Sequence, residues 1–277
     1  MMPWSLISNL RIASRTLKSS SRIVSTTSRL NSGVYRLFGI PFGIAKHPTC
    51  YPVGSYGRGT AIETSDLDVL VSLPKEKYQH YDSLKGNGQS RLLQSVRQAI
   101  LYTYPRTDIR ADGQVVKVAF SDGMKFEILP AFETKYWDGR TTYQYPDTNM
   151  GGNWLSTNPK AEQDAMRAKN KTSCGLLIDT CKHIRYIRDN YFSTYHLSGI
   201  VIDSFVYQAI SGWKWLQPGE PSNNARGEYE RHLLRKFYDI FPSLYYSHIS
   251  APGSDQWIDA STSVKCLEKT LLLMAEV

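Results

Sequence analysis

"Pro52-Val-Gly-Ser-Tyr-Gly-Arg-Gly-Thr-Ala-Ile-Glu-Thr-Ser-Asp-Leu-Asp-Val-Leu-Val71" sets glycines at 54, 57 and 59, hydroxyls at Ser55 and Thr60 beside them, and the carboxylates of Asp66 and Asp68 one residue apart. Gly54 and Ser55 follow an extended segment. A glycine there lets backbone N–H groups approach an anion closely, and the serine hydroxyl adds a donor, as a phosphate cradle requires. A triphosphate is the expected guest. Gly57 and Gly59 keep the following turn compact. Arg58 reads either as a phosphate contact or as a cation pointing into water, with water the favoured alternative. The stretch is not a P-loop, because no lysine follows Gly59.

Asp66 and Asp68 lead into the β-branched run Val69-Leu-Val71, so at a period of two their side chains project from the same face of a strand. Two like charges on one face repel, and a divalent cation between them relieves that repulsion; hard oxygen ligands at this spacing suit Mg²⁺ or Mn²⁺. The plainer alternative is a solvated strand end. Two-ion phosphoryl chemistry calls for a third carboxylate from another strand, and Glu127, within "Phe126-Glu-Ile-Leu-Pro-Ala-Phe132", is the candidate. Its own alternative is an edge strand with Glu127 facing solvent beside Lys125. Asp108, Asp112 and Asp122 sit at turns and strand ends, where aspartate needs no catalytic role.

Outward from these motifs, the chain reads as two lobes. Two Asp-Gly turns, at Asp112-Gly113 and Asp122-Gly123, separate the runs 107–111, 114–120 and 124–129 into a three-stranded meander closed by Pro130, and Ser90–Tyr102 has helical periodicity. From about Gly151 the pattern turns helical: a capped start at Asn158-Pro-Lys, a long amphipathic helix over 172–189, apolar helices over 199–210 and 264–274, and a loop at 217–224. The expected organisation is an N-terminal helix and α/β lobe over 1–150 and a helical lobe over 151–277. No internal repeat or long low-complexity tract is present.

The chain's 277 residues, 41% hydrophobic and 12% aromatic, are enough to bury one large core or two modest ones. Charged residues make up 21%, and no apolar run reaches the roughly 18 residues of a membrane span, which argues against disorder and membrane insertion. Cys50, Cys174, Cys181 and Cys266 lack paired spacing; they read as buried or free thiols in a reducing compartment, the cytoplasm, and not as a zinc module.

Residues 1–62 carry eight Lys or Arg and no acid, so the whole net charge of +8 is N-terminal. Arg11, Arg15, Lys18 and Arg22 fall along one helical face opposite Leu6, Leu10 and Leu17. Three readings are open: a mitochondrial transit peptide, a grip on RNA or another polyanion, and a solvated face, the last being favoured.

The motif residues together resemble the polymerase-β-like nucleotidyltransferases with a GS…[S]DxD signature. Within them they resemble the bacterial cGAS/DncV-like enzymes that make cyclic oligonucleotide signals. Gly54–Ile62 followed by Ser65-Asp-Leu-Asp68 looks like that group's signature, and Glu127-Ile-Leu-Pro-Ala131 resembles its third-carboxylate strand. Asn158-Pro-Lys160, a following helix with Lys182, and Leu197-Ser198 before Ile202-Asp203 are similar to its helical lobe. The resemblance covers roughly residues 50–210. It implies an α+β fold with a mixed-sheet nucleotidyltransferase lobe, a C-terminal helical lobe and an active site in the cleft between them.

It further implies that Asp66, Asp68 and Glu127 hold two Mg²⁺ ions, with Mn²⁺ as a substitute, and that Gly54, Ser55, Lys182 and Ser198 bind the phosphates of a nucleoside triphosphate. Many relatives carry aspartate where Glu127 stands, and a Leu-Glu pair where this chain has Ile202-Asp203, to which no role is assigned. From the residues alone, Lys182 also reads as an exposed helix position sharing a face with Arg185, and Ser198 as a helix N-cap. The activity implied is joining of nucleoside triphosphates into a cyclic di- or oligonucleotide that acts on a downstream effector in antiviral defence. A transferase acting on a protein, small molecule or RNA end, and a nucleic-acid sensor built on the same fold, are the other readings.

Overall fold

The computed structural model describes residues 49–120, 125–221, 224–243 and 247–276. The basic N-terminal helix and the Asp122-Gly123 turn expected from sequence lie outside the described residues. The chain divides into two compact units: residues 49–57 and 64–159 belong to one, residues 58–63 and 160–276 to the other.

The first unit is built on a mixed sheet. β1 (Thr49–Pro52) runs into a short helix, α1 (Gly54–Arg58), and then, after the excursion of residues 58–63, β2 (Leu67–Leu73) returns antiparallel to β1. Helices α2 (Lys75–Asp82) and α3 (Gly88–Thr103) follow, then β3 (Asp108–Asp112), β4 (Val115–Ala119), β5 (Lys125–Lys135), β6 (Thr141–Asp147) and β7 (Asn153–Thr157). The strand order is β1-β2-β5-β4-β3, with β6 and β7 extending from β5. Only the β2–β5 pair is parallel among these.

Local sequence accounts for the elements. Asn87 caps α3 by accepting from the Ser90 N–H at 2.8 Å, which satisfies one of the orphan donors of the first turn. Leu92, Leu93, Val96 and Ile100 then share one face of that helix and pack on Leu67, Val69, Val71 and Leu73 of β2 with Ile109, Val116, Val118, Phe126, Ile128 and Phe132. A one-residue slip of β2 would turn its apolar set away from this core, so the packed face decides which side Asp68 occupies. The β3–β4 turn uses Gly113 at φ 58, as its Asp-Gly dipeptide predicts.

Two expectations are corrected here. Pro130 does not close its strand: β5 continues to Lys135. On one edge of β5, β4 pairs only as far as Ile128 and β6 starts at Phe132. Pro130 falls in that gap, where no ladder donor is needed. The helical pattern also does not begin at Gly151. Met150, Gly151 and Gly152 adopt positive φ and turn the chain into β7, whose Trp154 ring stands 4.9 Å from Tyr78 and 5.6 Å from Phe132.

The second unit contains α4 (Pro159–Thr172), α5 (Leu176–Tyr191), α6 (Gly199–Ala209), α7 (Glu228–Ile240), a small hairpin of β8 (His248–Ser250) and β9 (Trp257–Asp259), and α8 (Val264–Ala275). The helix expected from Thr172 starts at Leu176 instead, because Cys174 at φ 53 and Gly175 at φ 98 break the path after α4. Leu177, Cys181 and Ile184 of α5, Val201, Phe205 and Val206 of α6, and Cys266, Leu267 and Leu271 of α8 share one core. Among the described residues no helix is long and apolar enough to cross a membrane.

Candidate active site

Asp68 on β2 stands opposite Glu127 on β5, Glu127 opposite Lys117 on β4, and Lys117 opposite Arg110 on β3. The residues next to each in sequence (Val69, Ile128, Val118 and Ile109) take the helix-packed face. Alternation therefore puts Arg110, Lys117, Glu127 and Asp68 in one row on the opposite face, with strands roughly 4.8 Å apart. Asp66, just before β2, is exposed. The edge-strand alternative for Glu127 is overturned, since β5 is paired on both sides at that residue.

Gly54 closes this site from the side. Its φ of 57 turns the chain from β1 into α1, and a Cβ built there would overlap Oδ2 of Asp68 and lie 2.6 Å from its Cγ. Only glycine fits both constraints. The Val53 N–H donates to the Asp68 carbonyl at 2.9 Å, tying the cradle's start to the strand that carries the carboxylate. Ser55 follows in α1, half-buried.

Glu127 has a cation neighbour that sequence reasoning missed. Lys117 Nζ stands 3.6 Å from Glu127 Oε1 and 2.7 Å from Asp112 Oδ2. The hydrogen bond to Asp112 raises the Lys117 pKa, against the effect of burial, and Glu127 adds to that rise. A cavity of about 220 Å³ opens beside them, lined by Asp66, Arg110, Lys117, Lys125 and Glu127 among others. The backbone thus brings Gly54, Asp68 and Glu127 together. As the side chains stand, no three Asp, Glu, His or Cys among the described residues are gathered closely enough to hold a metal ion.

The Second Messenger Oligonucleotide or Dinucleotide Synthetase (SMODS) domain matches residues 5–170, more than half of the chain. The chain belongs to the SMODS family. No curated protein matches it significantly in sequence. Among solved structures it is similar to the Elizabethkingia meningoseptica CdnE cyclic dinucleotide synthase with GTP and Apcpp, at TM-score 0.62 and 14% identity over 90% of this chain and 89% of that one. It is also similar to the Rhodothermus marinus CdnE c-UMP-AMP synthase with Apcpp and Upnpp (0.57, 12%, 91% and 90%). A third is CdnC of E. coli MS115-1, in a complex with HORMA-deltaN (0.58, 15%, 92% and 83%). At such identities the likeness establishes the fold alone, a mixed-sheet lobe with helices after it.

The other two expected site residues of this SMODS protein lie in the helical unit. Lys182 on α5 is half-buried and not the exposed helix position of the alternative reading; burial lowers its pKa, opposed by Asp179. Ser198 occupies the N-cap position of α6, but its side chain makes no capping bond, and its N–H donates to Ser263 Oγ at 3.0 Å.

Arg58 corrects both of its sequence readings. It meets neither water nor an open phosphate site, being only 9% exposed, and its Nε donates to Asp203 Oδ2 at 2.8 Å while NH1 donates to Glu162 Oε2 at 2.9 Å. Arg185, expected beside Lys182, is also buried and forks onto Asp203 at 2.7 and 2.9 Å. Burial would raise the Asp203 pKa, but Arg185 and Arg58 outweigh it and hold the carboxyl below its usual value. For Glu162 burial dominates over Arg58, and its pKa is raised. No local pattern marks these residues, because the partners of Arg58 lie 145 and 104 positions away.

Proposed function

We propose that the protein is a divalent-metal-dependent nucleotidyltransferase that joins nucleoside triphosphates into a cyclic di- or oligonucleotide. The observation that carries the reading is the Asp68–Glu127 pairing across β2 and β5 with Gly54 pressed against Asp68. Membership of the synthetase-domain family supports it, as does the fold shared with cyclic dinucleotide synthases.

The donor set is hard oxygen, and two like charges in adjacent strands are best relieved by a cation. Asp66, Asp68 and Glu127 would hold it, as Mg²⁺ or Mn²⁺ and as two ions. When bound, such ions stabilise charge on the transferring phosphoryl group and make a ribose hydroxyl more acidic. The chain's own residues position the reactants. The backbone at Gly54 and the Ser55 hydroxyl would donate to phosphate oxygens of the triphosphate, and Lys182 and Ser198 would bind phosphate as well. An acceptor ribose oxygen then forms a bond to the α-phosphorus as the bond to pyrophosphate breaks, in line, with the hydroxyl proton lost to solvent. Holding both partners in that line supplies several kcal/mol of the barrier reduction, roughly.

The product would act on an effector in the cytoplasm, and Arg11, Arg15, Lys18 and Arg22 would offer a salt-sensitive contact for RNA or another polyanion. The test is incubation with labelled nucleoside triphosphates and Mg²⁺ or Mn²⁺ without acceptor. A phosphatase-resistant small product is expected, and its loss in Asp66→Ala/Asp68→Ala. Label transferred instead to added RNA or protein would refute the synthase reading.

A further inference from the structure

Asp203 is fully buried, and its two oxygens take four hydrogen bonds from three residues in two parts of the chain. Oδ1 accepts from Arg185 NH1 at 2.7 Å. Oδ2 accepts from Arg185 NH2 at 2.9 Å, from Arg58 Nε at 2.8 Å and from the Thr60 hydroxyl at 2.9 Å. Behind Arg58 stands Glu162, and Arg185 is itself held by the Gly199 carbonyl at 2.8 Å. Two guanidinium groups and two carboxyl groups thus meet in the helical unit.

Such a cluster is a poor source of stability, because apolar groups of the same volume often serve as well. What it supplies is geometry, since a guanidinium fork fixes direction as well as distance. The segment it fixes is residues 58–60. Arg58 ends α1, whose first residues are Gly54 and Ser55, and the 58–63 link leads on to Asp66 and Asp68. The link therefore joins the two halves of the motif, and its anchor lies on α6, far away in sequence. Arg58 and Asp203 are both buried, with their charges directed at each other, which leaves them no direct part in holding a substrate.

We infer that Asp203, with Arg185 and Glu162, is a positioning device that sets the Gly54-Ser55 turn and the Asp66/Asp68 pair through Arg58 and Thr60. Its kinetic consequence rests on the nucleotidyltransferase reading; its structural consequence does not.

The test compares Thr60→Val, Thr60→Ser and Asp203→Asn in the full chain by amide hydrogen exchange and by steady-state turnover of ATP and GTP with Mn²⁺. Thr60→Val removes one donor and leaves the Arg185–Asp203 fork in place, so it keeps the question open should Asp203→Asn fail to fold. In Thr60→Val, amides of residues 54–57 and 64–68 should exchange about tenfold faster while those of α8 stay as in the parent. Turnover should fall about tenfold in kcat with KM little changed, and about 10²-fold in Asp203→Asn. Thr60→Ser, which keeps the hydroxyl, should restore both readouts. Unchanged exchange at 54–57 and 64–68, or acceleration spread equally over α5 and α8, would overturn the proposal, as would a change in KM alone. If the parent protein turns over no nucleotide, the activity reading fails by itself, and the exchange pattern still decides whether the device exists.

Discussion

Gly54 and Asp68 stand so close that a Cβ on residue 54 would overlap Oδ2 of the carboxylate. Gly54→Ala therefore meets two obstacles, the contact and the left-handed φ of 57, which alone costs an alanine about 1–2 kcal/mol. The variant is expected to lose about that much stability and, because Asp68 must move, about 10²-fold in turnover. Chemical denaturation together with pyrophosphate release checks both. A folded Gly54→Ala protein with parental turnover would show that Asp68 is not held for chemistry.

Lys117 and the proposed cation are rivals for Glu127, since Lys117 Nζ stands 3.6 Å from its Oε1. Removing the lysine charge with Lys117→Met should strengthen Mn²⁺ binding by threefold to tenfold, on the order of 1 kcal/mol for a half-exposed pair. Glu127→Gln should weaken binding and abolish turnover while the fold survives. Calorimetric titration of each variant with Mn²⁺ reads the effect directly; equal affinity in all three proteins would remove Glu127 from the ligand set.

Glu162 and Asp203 make opposite contributions to acid stability. Burial raises the Glu162 pKa in spite of Arg58. Between the ordinary glutamate value of about 4.3 and the raised one, the folded state keeps a proton that the unfolded chain has lost, so stability falls as pH rises through that window. Asp203 is held below its usual value despite full burial, by Arg185 and then Arg58. Its stabilisation is present above about 3.9 and is lost as pH falls toward the lower folded value. Glu162→Gln should abolish the decline just above the ordinary glutamate range and leave the acid-side loss due to Asp203. Urea midpoints measured across that range for both proteins check it; parallel profiles would contradict the assignment.

The sheet half of the fold was largely legible because its signals are local. Asp112-Gly113 marks its turn by backbone preference, Ser90–Tyr102 by periodicity, and Gly54-Ser55 with Asp66 and Asp68 by spacing along one segment. The same locality explains the failures. β7 carries a short polar-apolar run that resembles a loop until Trp154 finds Tyr78 and Phe132. The break at Cys174 and Gly175 interrupts a periodicity that reads continuously on either side. Lys117 became visible as the partner of Glu127 only once β4 was placed beside β5. Arg58 looked solvent-facing because the carboxylates it meets, Asp203 and Glu162, come from helices more than a hundred positions away, and not from the acids of its own segment.

The four cysteines should separate cleanly by reactivity. Cys174 is exposed, whereas Cys181 and Cys266 are buried and Cys50 is half-buried. Thiolate is the reactive form, so a raised pKa and burial slow alkylation together. Burial lifts the Cys50 thiol to about 11, raises Cys181 well above its ordinary value, and raises Cys266 as well. Iodoacetamide at neutral pH should therefore label Cys174 in the native protein and reach the other three only after unfolding. Peptide mass analysis reads the sites. Native labelling of Cys181 at a rate comparable to Cys174 would mean that α5 does not pack as described, and with it the placement of Arg185 on Asp203 would fall.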